Sequence, residues 1–178
     1  DRSWQDIYHL VILPMHNETY EVVLSTFESL LRINYPKEKL IVVLAIEERA
    51  GVIDGENAEK IQSQFNSKFF KLLITEHPSN LLDEISGKGS NATWAAQEAK
   101  AEIIDPLKIS YENIIVSLFD VDSQVASEYF GRLTHSFLTV QKPQRSSFQP
   151  VPFFTNNIYD ASPFSRIVAF STSFFNFS

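Results

Sequence analysis

The chain has no cysteine. It therefore holds neither a disulfide framework nor a thiolate zinc site, and its composition fits a reducing compartment. Long apolar runs are missing as well. No segment approaches the roughly 18 consecutive apolar residues of a membrane span, and the first residues carry no signal-peptide pattern, so the chain is expected to be soluble as given. Positive charge is scarce: 15 Lys and Arg against 22 Asp and Glu give a net charge of −7. That balance disfavours nucleic acid or an anionic membrane surface as the main partner, and it leaves room for an anionic ligand held through a cation. Linkers, internal repeats and low-complexity tracts are also absent, so the 178 residues read as a single domain.

What is present is an alternation of strand-length apolar runs with longer stretches of helical period, the pattern of βαβ units and a mostly parallel sheet. A first strand is predicted near Tyr8 to Leu13, ended by Pro14. A helix follows from about Thr19 to Arg32, with Val23, Phe27, Leu30 and Leu31 at helical spacing. Leu40 to Ile46 is apolar throughout and reads as a central strand covered on both faces. A polar helix from about Gly55 to Phe65 leads to a third strand, Phe70 to Thr75, and His77-Pro78 opens a loop. That loop contains Gly87-Lys88-Gly89-Ser90-Asn91, and helix formers run from Ala92 to Ile103. A buried strand, Ile114 to Phe119, then delivers Asp120-Val121-Asp122, and Phe130, Leu133, Phe137 and Val140 mark a last amphipathic helix beginning near Ser127.

The Asp-Val-Asp tripeptide carries the most chemistry. If extended conformation persists past Phe119, residues two apart point to one side and both carboxylates can face one hard cation. Mg²⁺ and Mn²⁺ take carboxylate and phosphate oxygens together, so the pair can hold a metal diphosphate. The competing reading is structural: Asp122 or Ser123 caps the following helix. Other polar residues also gather after strand ends. His16, Asn17 and Glu18 follow the first strand, Glu47 and Glu48 the second, Lys88 and Asn91 the third. In open α/β sheets ligands bind outside the carboxyl ends of the strands, so these clusters converge on one site.

Val11-Ile12-Leu13-Pro14-Met15-His16-Asn17-Glu18 resembles the first strand and Pro-x-aromatic-Asn-Glu signature of family 2 glycosyltransferases, the processive and dolichol-phosphate-type enzymes of GT-A fold. Asp120-Val121-Asp122 corresponds to that family's Asp-x-Asp, Gly87 to Ala92 to its Gly-Lys-rich stretch, and Asn34-Tyr35-Pro36 to its helix-ending Tyr-Pro. The resemblance covers residues 7 to 140 and, in Phe148-Gln149-Pro150-Val151-Pro152, a feature of membrane-associated members. It implies a Rossmann-like GT-A domain that binds a nucleotide-diphosphate sugar, UDP-sugar before others, with Mn²⁺ or Mg²⁺ on Asp120 and Asp122. Pro14, His16, Asn17, Glu18, Glu47, Lys88, Asn91 and Asp120 would line the donor site. The acceptor, a glycan or lipid, is undefined, and the parent would work on the cytoplasmic side, possessing a membrane anchor outside this chain.

This sequence departs from the family in three places. His16 replaces the usual Tyr, Glu47 or Glu48 stands near the base-contacting Asp, and the later acidic motif and Gln-x-x-Arg-Trp have no counterpart before Ser178. The resemblance thus implies an incomplete domain, residues 1–178, truncated at its C-terminal side, with the catalytic base beyond Ser178. After Ser123 only Glu128 and Asp160 offer carboxylates. A binding fragment without turnover is the alternative. A haloacid-dehalogenase-type phosphatase is more distant, because its Asp-x-Asp follows the first strand and continues with Thr or Val where this chain has Gln124. His77 and His135 read as surface or locally bonded histidines, and the acceptor patterns at Asn17 and Asn91 as unmodified. The aromatics Phe164, Phe170, Phe174 and Phe175 are expected to pack on the core or on residues beyond the chain, a membrane interface being the alternative.

Overall fold

Three parallel ladders build the sheet of this computed structural model. Residues 2–79, 81 and 87–150 are described, and the Phe164 to Phe175 aromatics and Asp160 lie outside them. The chain divides into two units, Asp1–Gln144 and Arg145–Ser178, and the first holds every element below.

In chain order these are β1 (Tyr8–Pro14), α1 (Tyr20–Leu31), β2 (Leu40–Glu47), α2 (Val52–Phe65), β3 (Lys71–His77), α3 (Lys88–Ala99), β4 (Ile114–Leu118) and α4 (Tyr129–Thr139). The sheet order is β3-β2-β1-β4. Val11 pairs with Val42 and with Ser117, and Val42 pairs with Leu72, so β1 and β2 are central. Their apolar runs follow from that position, since a central parallel strand is covered on both faces. All eight residues of β2 are buried.

Alternation along the strands divides the core into two layers. Val11, Leu13, Val42 and Leu44 meet Val23, Phe27 and Leu30 of α1, Ile61 and Phe65 of α2 and Phe130 of α4. On the opposite face Leu10, Ile12, Ile41 and Val43 meet Ala95 and Ala99 of α3, with Ile103 and Ile104 beyond. Each such fully buried Leu, Ile or Phe contributes about 1.5–3 kcal/mol. The expected α/β architecture, a parallel sheet flanked by helices, is the observed one.

Several boundaries differ from the sequence reading. α2 begins at Val52, three residues before Gly55, because Gly51 takes φ 85 and admits the helix there. α3 begins at Lys88 rather than Ala92. The Gly87 amide donates to Ser90 Oγ at 2.9 Å, turning the glycine-rich stretch into a helix start. β4 is not buried but an edge strand: Ile115 and Ser117 face the core, while Val116 and Leu118 are 57% and 51% exposed because α3 does not reach over them. Neither Asp122 nor Ser123 caps α4, whose N-cap is Glu128.

Candidate active site

Because all four strands run parallel, their carboxyl ends lie on one edge. The chain steps from β1 to β2 to β3 in one direction and then returns to the other flank of β1 with β4. This reversal opens a crevice between the ends of β1 and β4, where ligands enter doubly wound sheets.

The β4 side of the crevice is Asp120-Val121-Asp122. Extended backbone stops at Leu118, and the Ser123 amide donates to the Asp120 carbonyl at 2.9 Å, closing a turn. The two-residue alternation expected of a strand therefore does not place the carboxylates. Val121 does. Its side chain is buried in the core, its carbonyl accepts from Thr26 Oγ1 at 2.6 Å, and Asp120 and Asp122 are exposed on either side of it. Ser25 and Ser29 of α1 continue the attachment, through Gln124 Nε2 at 2.8 Å and the Val125 amide at 3.2 Å.

The β1 side is the turn after Pro14, itself buried at the strand end. Met15 donates its amide to the Ala45 carbonyl at 2.9 Å, and Asn17 adopts φ 65. His16 and Asn17 are exposed, while the Glu18 carboxylate turns back to accept the His16 amide.

Between these walls stands the start of α3. Lys88 forms an ion pair with Asp120, joining the helix to the β4 turn, and the first-turn amides of α3 give this edge a positive potential. Asn91 is placed differently from Lys88. It is 1% exposed and its Nδ2 donates to the Ala45 carbonyl at 2.9 Å, so it fixes α3 to β2 instead of facing solvent. Glu47 is likewise buried and is paired with the Arg49 guanidinium. Glu48 is exposed, and the amide and hydroxyl of Ser79 donate to it at 2.8 and 2.7 Å, which holds its carboxyl below the usual glutamate range.

Thr26, Ser29, Arg49 and Asp54 enter the site or its support without any sequence signal beyond small or charged residues in helices. Asp54 is 1% exposed and accepts the Asn17 amide at 3.0 Å. His77 is buried with its ring edge-on to Trp94, and His135 is exposed. Glu128 lies at the wrong end to serve the crevice, since Asn34 Nδ2, beyond the far end of α1, donates to it at 3.1 Å. A groove of about 640 Å³ lined by Trp4, Tyr35, Pro36, Thr134, His135 and Leu138 opens where the strands begin and contains none of the expected site residues.

Asp120 and Asp122 offer oxygen donors alone, a set suited to a hard divalent cation. Among the described residues no three His, Cys, Asp or Glu side chains form a metal-ligating group, so other ligands would have to complete any shell there. No described helix is long and apolar enough to cross a membrane.

The architecture, a parallel sheet flanked by helices, is shared with solved structures. No protein-family model matches the sequence, and no curated protein matches it. Among solved structures the chain is similar to residues 1–349 of TarS from S. aureus, with TM-score 0.52 and 18% identity over 88% of this chain and 45% of that one. It is similar also to the TarS complex with UDP-GlcNAc, at TM-score 0.53 and 17% identity over 88% and 44%, and to the complex with UDP, at 0.51 and 17% over 88% and 45%. This chain spans less than half the length of each of these three structures.

Proposed function

We propose that this chain binds a nucleoside diphosphate sugar, UDP-linked by preference, and supplies the donor half of a sugar transfer. One observation carries the reading: Lys88 pairs with Asp120 at the edge where the parallel strands end, the edge from which the His16 to Glu18 turn also leaves β1 and where the strand order reverses. The likeness to structures with bound UDP-GlcNAc and UDP supports it through the fold. Asp122, with Asp120, would hold Mn²⁺ or Mg²⁺, and water or diphosphate oxygens would complete the shell. When bound, the cation supplies Lewis-acid stabilisation of the leaving diphosphate.

The chain's own residues do the rest. Lys88 adds a point charge to a phosphate oxygen, and the amides opening α3 receive the same anion. His16, Asn17 and Glu18 form the wall nearest the nucleoside, with Glu47 and Arg49 behind it. Among the described residues after Ser123 the acceptor base has no candidate at this edge, because Glu128 is tied to Asn34. The chain is accordingly assigned donor binding. Calorimetric titration of Asp122→Asn with UDP and Mn²⁺ tests the assignment. Binding should weaken at least about tenfold with the melting temperature preserved, because a lost charge-assisted contact is worth about 1.5–3 kcal/mol. Wild-type affinity in that variant would refute it.

A further inference from the structure

We infer that Asp54 is a positioning residue: it holds the turn after β1 in the geometry that receives the donor, without touching the donor itself. The inference rests on the reading of the site just given.

Asp54 is the third residue of α2, after exposed Val52 and Ile53. An acidic side chain at that point of a helix ordinarily folds back onto the free amides of its own first turn. Asp54 instead leaves its helix. Its Oδ2 accepts the amide of Asn17 at 3.0 Å, 37 residues earlier in sequence, and its Oδ1 has no hydrogen-bond partner among the described residues. A buried carboxylate oxygen left without a donor opposes folding. Helix stability alone therefore does not account for a carboxylate that is 1% exposed at this place.

The residue it holds is itself unfavourable. Asn17 has φ 65, a left-handed conformation that non-glycine residues keep only when their surroundings fix it. One helical turn along α2, Asn57 is also buried, and its Nδ2 donates to the Glu18 carbonyl at 3.4 Å. Two side chains spaced for the same helix face thus grip successive residues of one exposed turn. The consequence is a fixed wall for the crevice: α2 sets where His16 and Asn17 present their polar groups, and Asp54 is the stronger of its two holds.

Two measurements on the full chain test this. Hydrogen exchange of the Asn17 amide, followed by NMR without ligand, reads the hold directly, and calorimetry with UDP and Mn²⁺ reads its effect on binding. In Asp54→Ala the amide should exchange about tenfold faster or more, and UDP affinity should fall by a similar factor, the scale of one lost hydrogen bond. Asp54→Asn keeps an oxygen of the same reach and should restore both. If Asp54→Ala does not fold, Asn57→Ala removes the second hold and should move both readouts in the same direction. A folded Asp54→Ala with wild-type affinity overturns the inference and leaves the proposed function standing. Failure of the wild-type chain to bind UDP, with the Asn17 amide still protected through Asp54, removes the proposed function and takes the donor-positioning role with it.

Discussion

The Thr26 hydroxyl donates to the Val121 carbonyl at 2.6 Å, linking two buried residues 95 positions apart. This bond fastens the middle of Asp120-Val121-Asp122 to α1 and leaves the carboxylates on either side directed outward. Thr26→Val keeps the volume and removes the donor, stranding the Val121 carbonyl. The variant should lose about 1–3 kcal/mol of stability, read by thermal denaturation, and its cation-dependent UDP affinity should fall as the turn loosens. Unchanged affinity with reduced stability would show that the bond supports the fold alone.

His9 predicts an acid sensitivity unrelated to the site. It is fully buried against Phe130 and Tyr35, its Nε2 lies 2.8 Å from Thr134 Oγ1, and burial pushes its pKa down from 6.5 to about 3. The unfolded chain therefore binds more protons than the folded one between those values, so stability is complete above pH 6.5 and is lost as pH falls through the window. The expected slope is about 1.4 kcal/mol per pH unit for this group. Denaturant titrations between pH 7 and about pH 4, the span that this linkage covers, should show a flatter profile for His9→Gln than for the wild type. Parallel profiles would assign the sensitivity to other groups.

Lys88 and Asp120 are paired but about half and two-thirds exposed, at 50% and 65%. An exposed pair contributes only about 0–1 kcal/mol, so Lys88→Gln should barely change the melting temperature. Its effect should fall on the diphosphate: affinity for UDP should drop several-fold more than affinity for uridine, with a weaker dependence on salt. Equal losses for the two ligands would remove the lysine from the phosphate site.

The central strands were legible in the sequence because Val11 to Leu13 and Leu40 to Ile46 are apolar on both faces, which only a doubly covered strand requires. β4 misled for the same reason. Its run is apolar but for Ser117, yet Val116 and Leu118 stand exposed, and no periodicity reports whether a layer covers a given face. The start of α3 was hidden because Gly87 and Gly89 read as loop, whereas a serine hydroxyl three residues on can close the first helical turn. Within the site, carboxylates and the lysine at strand ends were visible by residue type. Thr26, Asp54 and Asn91 were not visible as supports, since their role depends on partners 37 to 95 residues away.

The reading of the site stands most directly on one titration: the unmodified chain with UDP, once with Mn²⁺ or Mg²⁺ and once with a chelator in its place. Two exposed carboxylates beside a diphosphate repel it unless a cation lies between them. The account predicts binding with the cation and none detectable with the chelator. Equal affinity under both conditions would contradict it.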